Sequence, residues 1–260
     1  MRRAREAALA LLALAGASLA AAEEIAPGER RSGRDFAAPE TRAMQDDDAT
    51  NPGMLFVLEG EAAWARRAGA ANRACADCHG DAAVSMRGVA ARFPAFDAGA
   101  GRVVDLEQRV NLCRARRQQA PELAWESAEL LALTAFLGRQ SRGLPVEVSV
   151  DGPARPAFEL GREIFHRRQG QLDVSCSQCH DANWGKHLAG SVIPQAHPTG
   201  YPIYRLEWQG MGSLQRRLRA CVGGTRAEPW PYGAAENVAL ELYLAWRARG
   251  MAVETPGVRP

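Results

Sequence analysis

The pentapeptide Cys-x-x-Cys-His occurs twice in this chain, as Cys75-Ala76-Asp77-Cys78-His79 and Cys176-Ser177-Gln178-Cys179-His180. Two thiols at that spacing can both bond covalently to one haem, and the adjacent His is placed to bind its iron. The spacing can also hold zinc. Here, however, it recurs downstream of a segment built like an export signal, and export is the setting in which haem is attached. The sequence therefore predicts two covalently bound haem c groups, held through Cys75, Cys78, Cys176 and Cys179, with His79 and His180 as iron ligands.

The export reading rests on Arg2, Arg3 and Arg5, an apolar stretch from Ala7 to about Ala20, and the small residues Ala20-Ala21-Ala22 before Glu23-Glu24. Residues 1–22 are expected to be a signal peptide and the mature chain a periplasmic one. No later segment approaches the roughly 18 uncharged apolar residues of a membrane span, so none is expected in the mature form. The whole chain carries a formal charge of +2, and the signal segment holds three Arg and one Glu, which leaves the remainder neutral. That balance gives no support to a nucleic-acid partner.

An internal repeat divides the rest. Gly60 and Gly161 each lie fifteen residues before the first Cys of a motif, with Trp64 and Phe165 four residues after each Gly. Farther on, Leu106, Arg109 and Cys113 match Leu214, Arg217 and Cys221, with Arg and Cys one helical turn apart on one face. A third pair of amphipathic helices matches at a constant offset: Glu129, Ala132, Leu133 and Leu137, then Gly143, against Glu236, Ala239, Leu240 and Leu244, then Gly250.

Sustained strand alternation is scarce, so the expected fold is all-α, two cytochrome c-like haem domains in tandem. The expected boundaries are an N-terminal arm at 23–50, a first domain at 51–144, a Pro- and Gly-rich linker at 145–157 and a second domain at 158–260. The arm, with Arg30-Arg31 and Asp46-Asp47-Asp48, reads as mobile and solvated. Trp64, Phe56, Phe165, Trp246 and Tyr243 read as residues packing around haem. A half of this size has little interior without its haem, so each is expected to fold poorly in the apo form.

Six cysteines less the four in the motifs leave Cys113 and Cys221. In an oxidising compartment a disulfide between them is the default. Repeat symmetry favours the other reading, a distal thiolate on each iron, since each half holds one extra Cys at a matching place. Met86, His187, Met211, His197 and His166 are the other distal candidates, and no pair of them repeats between the halves. A thiolate lowers the reduction potential relative to Met, which suits sulfur chemistry better than simple relay. Cys221 is followed by Val222-Gly223-Gly224-Thr225-Arg226, a setting suited to a small sulfur oxyanion.

With these residues the chain resembles the SoxA family, dihaem cytochrome subunits of the SoxAX complexes of thiosulfate-oxidising bacteria. The resemblance covers nearly the whole mature chain. It is carried by both attachment motifs with one later Cys each, by Gly190-Ser191-Val192-Ile193-Pro194-Gln195 with Gly200-Tyr201-Pro202-Ile203-Tyr204-Arg205, and by Cys221 through Pro229. It implies an L-cysteine S-thiosulfotransferase that oxidatively joins thiosulfate to a cysteine of a carrier protein and passes electrons to c-type cytochromes. It further implies Cys221 as catalytic, sulfur-carrying residue and distal ligand, Arg217 as substrate-binding residue and Cys113 as the other distal ligand. The implied partners are a SoxX-like monohaem cytochrome and a SoxYZ-like sulfur carrier. A plain dihaem electron carrier and a dihaem peroxidase are the competing classes.

Overall fold

Two glycines set the framework. The computed structural model describes residues 25–260, and the expected signal segment 1–22 lies outside the described residues. In chain order the helices are α1 (Pro39–Asp46), α2 (Gly53–Ala65), α3 (Ala76–His79), α4 (Ala82–Ser85), α5 (Leu106–Cys113), α6 (Ala128–Arg139), α7 (Arg155–His166), α8 (Cys176–His180), α9 (Leu214–Gly224) and α10 (Ala235–Arg247). Helix α2 packs across α6, and α7 across α10. At the first crossing a Cβ on Gly60 would stand 2.1 Å from the Ala132 carbonyl oxygen, and at the second a Cβ on Gly161 would stand 2.0 Å from that of Ala239. No side chain fits such a gap, which is why the Gly and Ala of each half repeat at fixed spacing. Around the crossings lie two apolar cores, one with Val57, Trp64, Leu131 and Phe136, the other with Phe158, Phe165, Leu240 and Tyr243.

The helices begin where their side chains cap them. Asp105 accepts from the Gln108 N–H at the start of α5, and Ser213 from the Arg216 N–H at the start of α9. Ser175 and Gln178 exchange bonds as a capping box on α8. Before each attachment helix the chain makes a tight turn, bridged at Ala68 with Arg73 and at Gln169 with Val174. Gly69 and Gly170 both have positive φ there, where glycine alone is unstrained. Each turn is tied to the loop after the returning helix, Ala71 N–H to the Gln118 carbonyl and Leu172 N–H to that of Thr225.

The all-α expectation needs amendment, because short strands supplement the helices. Strands β1 (Ala95–Asp97) and β2 (Arg102–Val104) form one antiparallel hairpin, and β3 (His187–Leu188) and β4 (Ser191–Val192) another. Strand β5 (Ile203–Arg205) pairs antiparallel with β6 (Gly210–Gly212) and parallel with β7 (Gly257–Arg259). None exceeds three residues, too short for the period-two pattern that marks a strand in sequence. The halves also exchange core residues through them: Val103 enters the C-terminal core and Met211 the N-terminal one. Met211 is thereby a packing residue.

The N-terminal arm is docked rather than mobile. Buried Gln45 on α1 accepts from the Val258 N–H and from the Arg259 guanidinium, Ser32 Oγ donates to Glu254, and Asp48 pairs with Arg139 and Arg142. Of the charges that look solvated in sequence, Asp46 pairs with nearby Arg34, whereas Arg30 and Asp48 find partners more than ninety positions away, a distance at which no local pattern reports. In the Pro-rich stretch expected as linker, Val146 exchanges bonds with Met251 and Gly250, and α7 starts inside it at Arg155. Pro156 is accommodated there because the first turn of a helix does not use its N–H. Among the described residues no helix is long and apolar enough to cross a membrane.

Candidate functional site

In the N-terminal half, α3 and its N-cap present Cys75, Cys78 and His79 to a cavity of about 280 Å³ that Cys113 and Met86 also line. Trp64 closes one side, its ring centroid 5.6 Å from that of His79 and its indole N–H donating to the Gly80 carbonyl at 3.1 Å. Burial pushes the Cys75 thiol up, and Cys113 adds to the shift, so the two sulfurs share one neighbourhood. Arg73, Arg109, Arg114 and Arg117 also border the cavity.

The C-terminal half repeats this arrangement with a better-defined imidazole. His180 Nδ1 donates to the Pro194 carbonyl at 2.6 Å. A carbonyl only accepts, so Nδ1 must carry the proton and Nε2 is left with its lone pair, the form that binds iron. Burial lowers the His180 pKa and keeps it neutral. Burial raises the Cys176 thiol to about 12, with Cys221 the next contributor. Thus Cys221 stands to Cys176 as Cys113 stands to Cys75, and all six cysteines are free thiols. Each half brings two Cys, a His and a later Cys into one neighbourhood, an arrangement that fits a covalently bound haem.

Cys221 is exposed, whereas Cys113 is half-buried. The three arginines of α9 separate by direction. Arg216 lies over Trp208 at 4.1 Å and Arg219 over Tyr232 at 4.6 Å. Arg217, one turn before Cys221, acts electrostatically on His180, Tyr201 and Arg205. Burial pushes the Tyr201 phenol to about 12, and both Arg217 and Cys221 act on it. Beyond Cys221 a Cβ on Gly224 would meet open space.

The other distal candidates are accounted for differently. His166 Nε2 meets the Tyr243 hydroxyl at 3.2 Å, His197 Nδ1 donates to the Arg31 carbonyl at 2.8 Å, and His187 sits on the exposed β3 hairpin. Tyr201 and Arg205, which join Cys221 and Arg217, have no assigned role in the sequence reading; the signal for them is the stretch Gly200 to Arg205. Arg247 was equally inconspicuous. It is 3 % exposed, pairs with Asp181 and lies over the Phe165 ring at 4.3 Å. A charged residue closing the apolar run at the end of α10 is its only trace in the sequence.

These features match known proteins. The family model described as SoxA/TsdA, cytochrome c domain matches twice, over residues 59–146 and 160–253. The molecule is therefore a c-type cytochrome with two cytochrome c domains. The L-cysteine S-thiosulfotransferase subunit SoxA of Rhodovulum sulfidophilum is 42% identical over 231 residues, spanning 89% of this chain and 80% of that protein. That of Pseudaminobacter salicylatoxidans is 39% identical over 242 residues, spanning 92% and 85%. The crystal structure of SoxXA from P. pantotrophus aligns with a TM-score of 0.86 at 37% identity, covering 89% of this chain and 87% of the matched one. The chain belongs to the SoxA family, cytochrome c subunits of L-cysteine S-thiosulfotransferase.

Proposed function

We propose that this subunit carries two haem c groups and joins thiosulfate to a cysteine of a carrier protein at the C-terminal site. The observation that carries the reading is the exposed Cys221, one helical turn after Arg217 on α9 and in the same neighbourhood as Cys176. Cys75, Cys78, Cys176 and Cys179 would hold the groups covalently, and His79 with Cys113, and His180 with Cys221, would supply the side chains that bind their irons. When bound, the haems supply one-electron acceptors for the oxidation.

The protein's own residues perform the rest. The Arg217 guanidinium neutralises the sulfonate with charge-assisted hydrogen bonds and orients the sulfane sulfur toward Cys221 Sγ. The Cys221 thiolate and thiosulfate lose two electrons in all as their sulfurs bond, giving Cys221–S–S–SO₃⁻. A carrier thiolate then attacks the sulfane sulfur and takes the S–SO₃⁻ group, and the Cys221 thiolate leaves. The two electrons pass to c-type cytochrome acceptors, so the overall change is one new S–S bond and two electrons transferred.

The alignment with SoxXA supports a SoxX-like monohaem cytochrome as the subunit's partner, and the chemistry calls for a SoxYZ-like carrier bearing the acceptor thiol. The export-like residues 1–22 support a periplasmic site of action. The test is the intact mass of the exported, non-reduced protein beside Cys221→Ala. Two haems, with any extra sulfur on the parent lost in the variant and conjugation abolished, support the reading. Full conjugating turnover by haem-loaded Cys221→Ala would sink it.

A further inference from the structure

The segment Glu29 to Ser32 lies against the loop that faces the His180 imidazole. Gln195, fully buried, grips this segment at both ends of its amide: its Oε1 accepts from the Arg31 N–H at 2.6 Å and its Nε2 donates to the Glu29 carbonyl at 3.1 Å. His197 adds a third bond, from Nδ1 to the Arg31 carbonyl at 2.8 Å. Burial lowers the His197 pKa to about 4, and Nδ1–H can donate to the Arg31 carbonyl in either charge state. The Arg31 guanidinium also lies 5.8 Å from the Trp184 ring centroid, and Phe36 meets Trp184 edge-on. The arm therefore touches the segment that follows His180 at two places, Trp184 and Gln195.

From the other direction Arg247 reaches Asp181, the residue after His180, and the Gln195 carbonyl at 3.4 Å. Pro194 and Gln195 are thus held at three points: by the arm through the Gln195 side-chain amide, by Arg247 through the Gln195 carbonyl, and by the His180 imidazole through the Pro194 carbonyl.

We propose that Gln195 is a positioning residue. By strapping residues 29–32 over its loop it holds the Pro194 carbonyl on His180 Nδ1–H and so sets the donor strength of His180 Nε2 toward iron. The physical link is that a firm bond from Nδ1–H to an acceptor increases the basicity of the opposite ring nitrogen, and loosening it weakens that nitrogen as a ligand. A weaker donor stabilises ferric iron less, so the potential of the C-terminal haem must rise when the strap is cut. The inference rests on His180 ligating the C-terminal haem.

The test measures both haem potentials by spectroelectrochemistry, with ferric electron paramagnetic resonance, on the haem-loaded full-length protein and its Gln195→Ala variant. The expected result is an upward shift of the C-terminal potential and altered ferric g-values for that haem, with the N-terminal haem unchanged. Gln195→Glu, which keeps the acceptor for the Arg31 N–H, should shift it less. A folded Gln195→Ala protein with parental potentials and g-values would overturn the proposal, even if its melting temperature fell. Should that variant not fold, Ser32→Ala loosens the same strap by removing the bond to Glu254, and an unchanged C-terminal potential there overturns the proposal equally. A parent protein whose C-terminal haem shows no histidine ligation would instead defeat the assignment of His180, a distinguishable result.

Discussion

The two halves share the same helix crossings and turns and differ around their later cysteines. Both cross a helix pair at a Gly against an Ala carbonyl, both turn through a positive-φ Gly before the motif, and both bring a later Cys into the neighbourhood of the motif. In the N-terminal half that Cys ends α5, is half-buried, and is followed by a π-helical turn at Arg114–Gln118 that closes over the cavity edge. In the C-terminal half it sits inside α9, exposed, with two glycines beyond it and Arg217 one turn before. On the proposed function, a repeated haem scaffold becomes a reactive site by leaving its later cysteine open to solvent. Changing the attachment chemistry is not required.

The largest expected effect separates the two later cysteines. Cys221→Ala should lower conjugating turnover by at least about 10³-fold, roughly 4 kcal/mol of barrier, whereas Cys113→Ala should alter the N-terminal haem spectrum and leave turnover within about threefold. Equal losses in both variants, read by steady-state kinetics on haem-loaded protein, would erase the functional contrast between the halves.

Next in size is the shared scaffold. Gly60→Ala and Gly161→Ala each place a methyl within 2.1 Å and 2.0 Å of a backbone oxygen, forcing the helices apart. Each should cost about 3 kcal/mol in denaturant unfolding, at the upper end for overpacking. A large loss at only one crossing would show that the repeat is less symmetric than its geometry.

The smallest effect concerns the seam between the halves, where Asp105 and Glu107 from α5 and its cap meet Glu241 of α10, with Arg102 and Glu126 as the nearest other charges. Burial raises Asp105 to about 7 and Glu107 to about 8, from ordinary values of 3.8 and 4.5, and it raises Glu241 well above its usual range. A raised folded-state pKa means the unfolded chain loses its protons first as pH increases. The seam's stability is therefore full below about pH 4 and declines as pH rises to about 8. Glu241→Gln, which can keep contact with Gln215, should stabilise the protein by on the order of 1 kcal/mol at pH 8 and by almost nothing at pH 4. Thermal unfolding at the two pH values checks this, and a gain of equal size at both would remove the titration from the account.

Much of the site is legible in the sequence because covalent haem attachment demands three residue types within five positions, and because a duplicated domain repeats its steric requirements. Gly60, Gly161, Ala132 and Ala239 announce a close helix crossing before any coordinates, and Cys113 and Cys221 announce themselves by matched spacing. Tyr201, Arg205, Gln195 and Arg247 do not, since each reaches its partner through the chain's return from a distant element. The docked arm is the clearest case: Arg30-Arg31 and Asp46-Asp47-Asp48 look like a solvated charge run until Arg249, Arg139 and Arg142 are brought beside them.

By itself, the sequence determined that this is a twofold cytochrome c scaffold with a spare cysteine in each half, because local spacing alone specifies attachment helices and helix crossings. Only the tertiary structure decided which spare cysteine is open to solvent, which arginine of α9 turns toward it and what holds the Pro194 carbonyl on His180. Those properties depend on contacts between residues as many as 166 positions apart, and spacing along a chain does not encode distances across a fold.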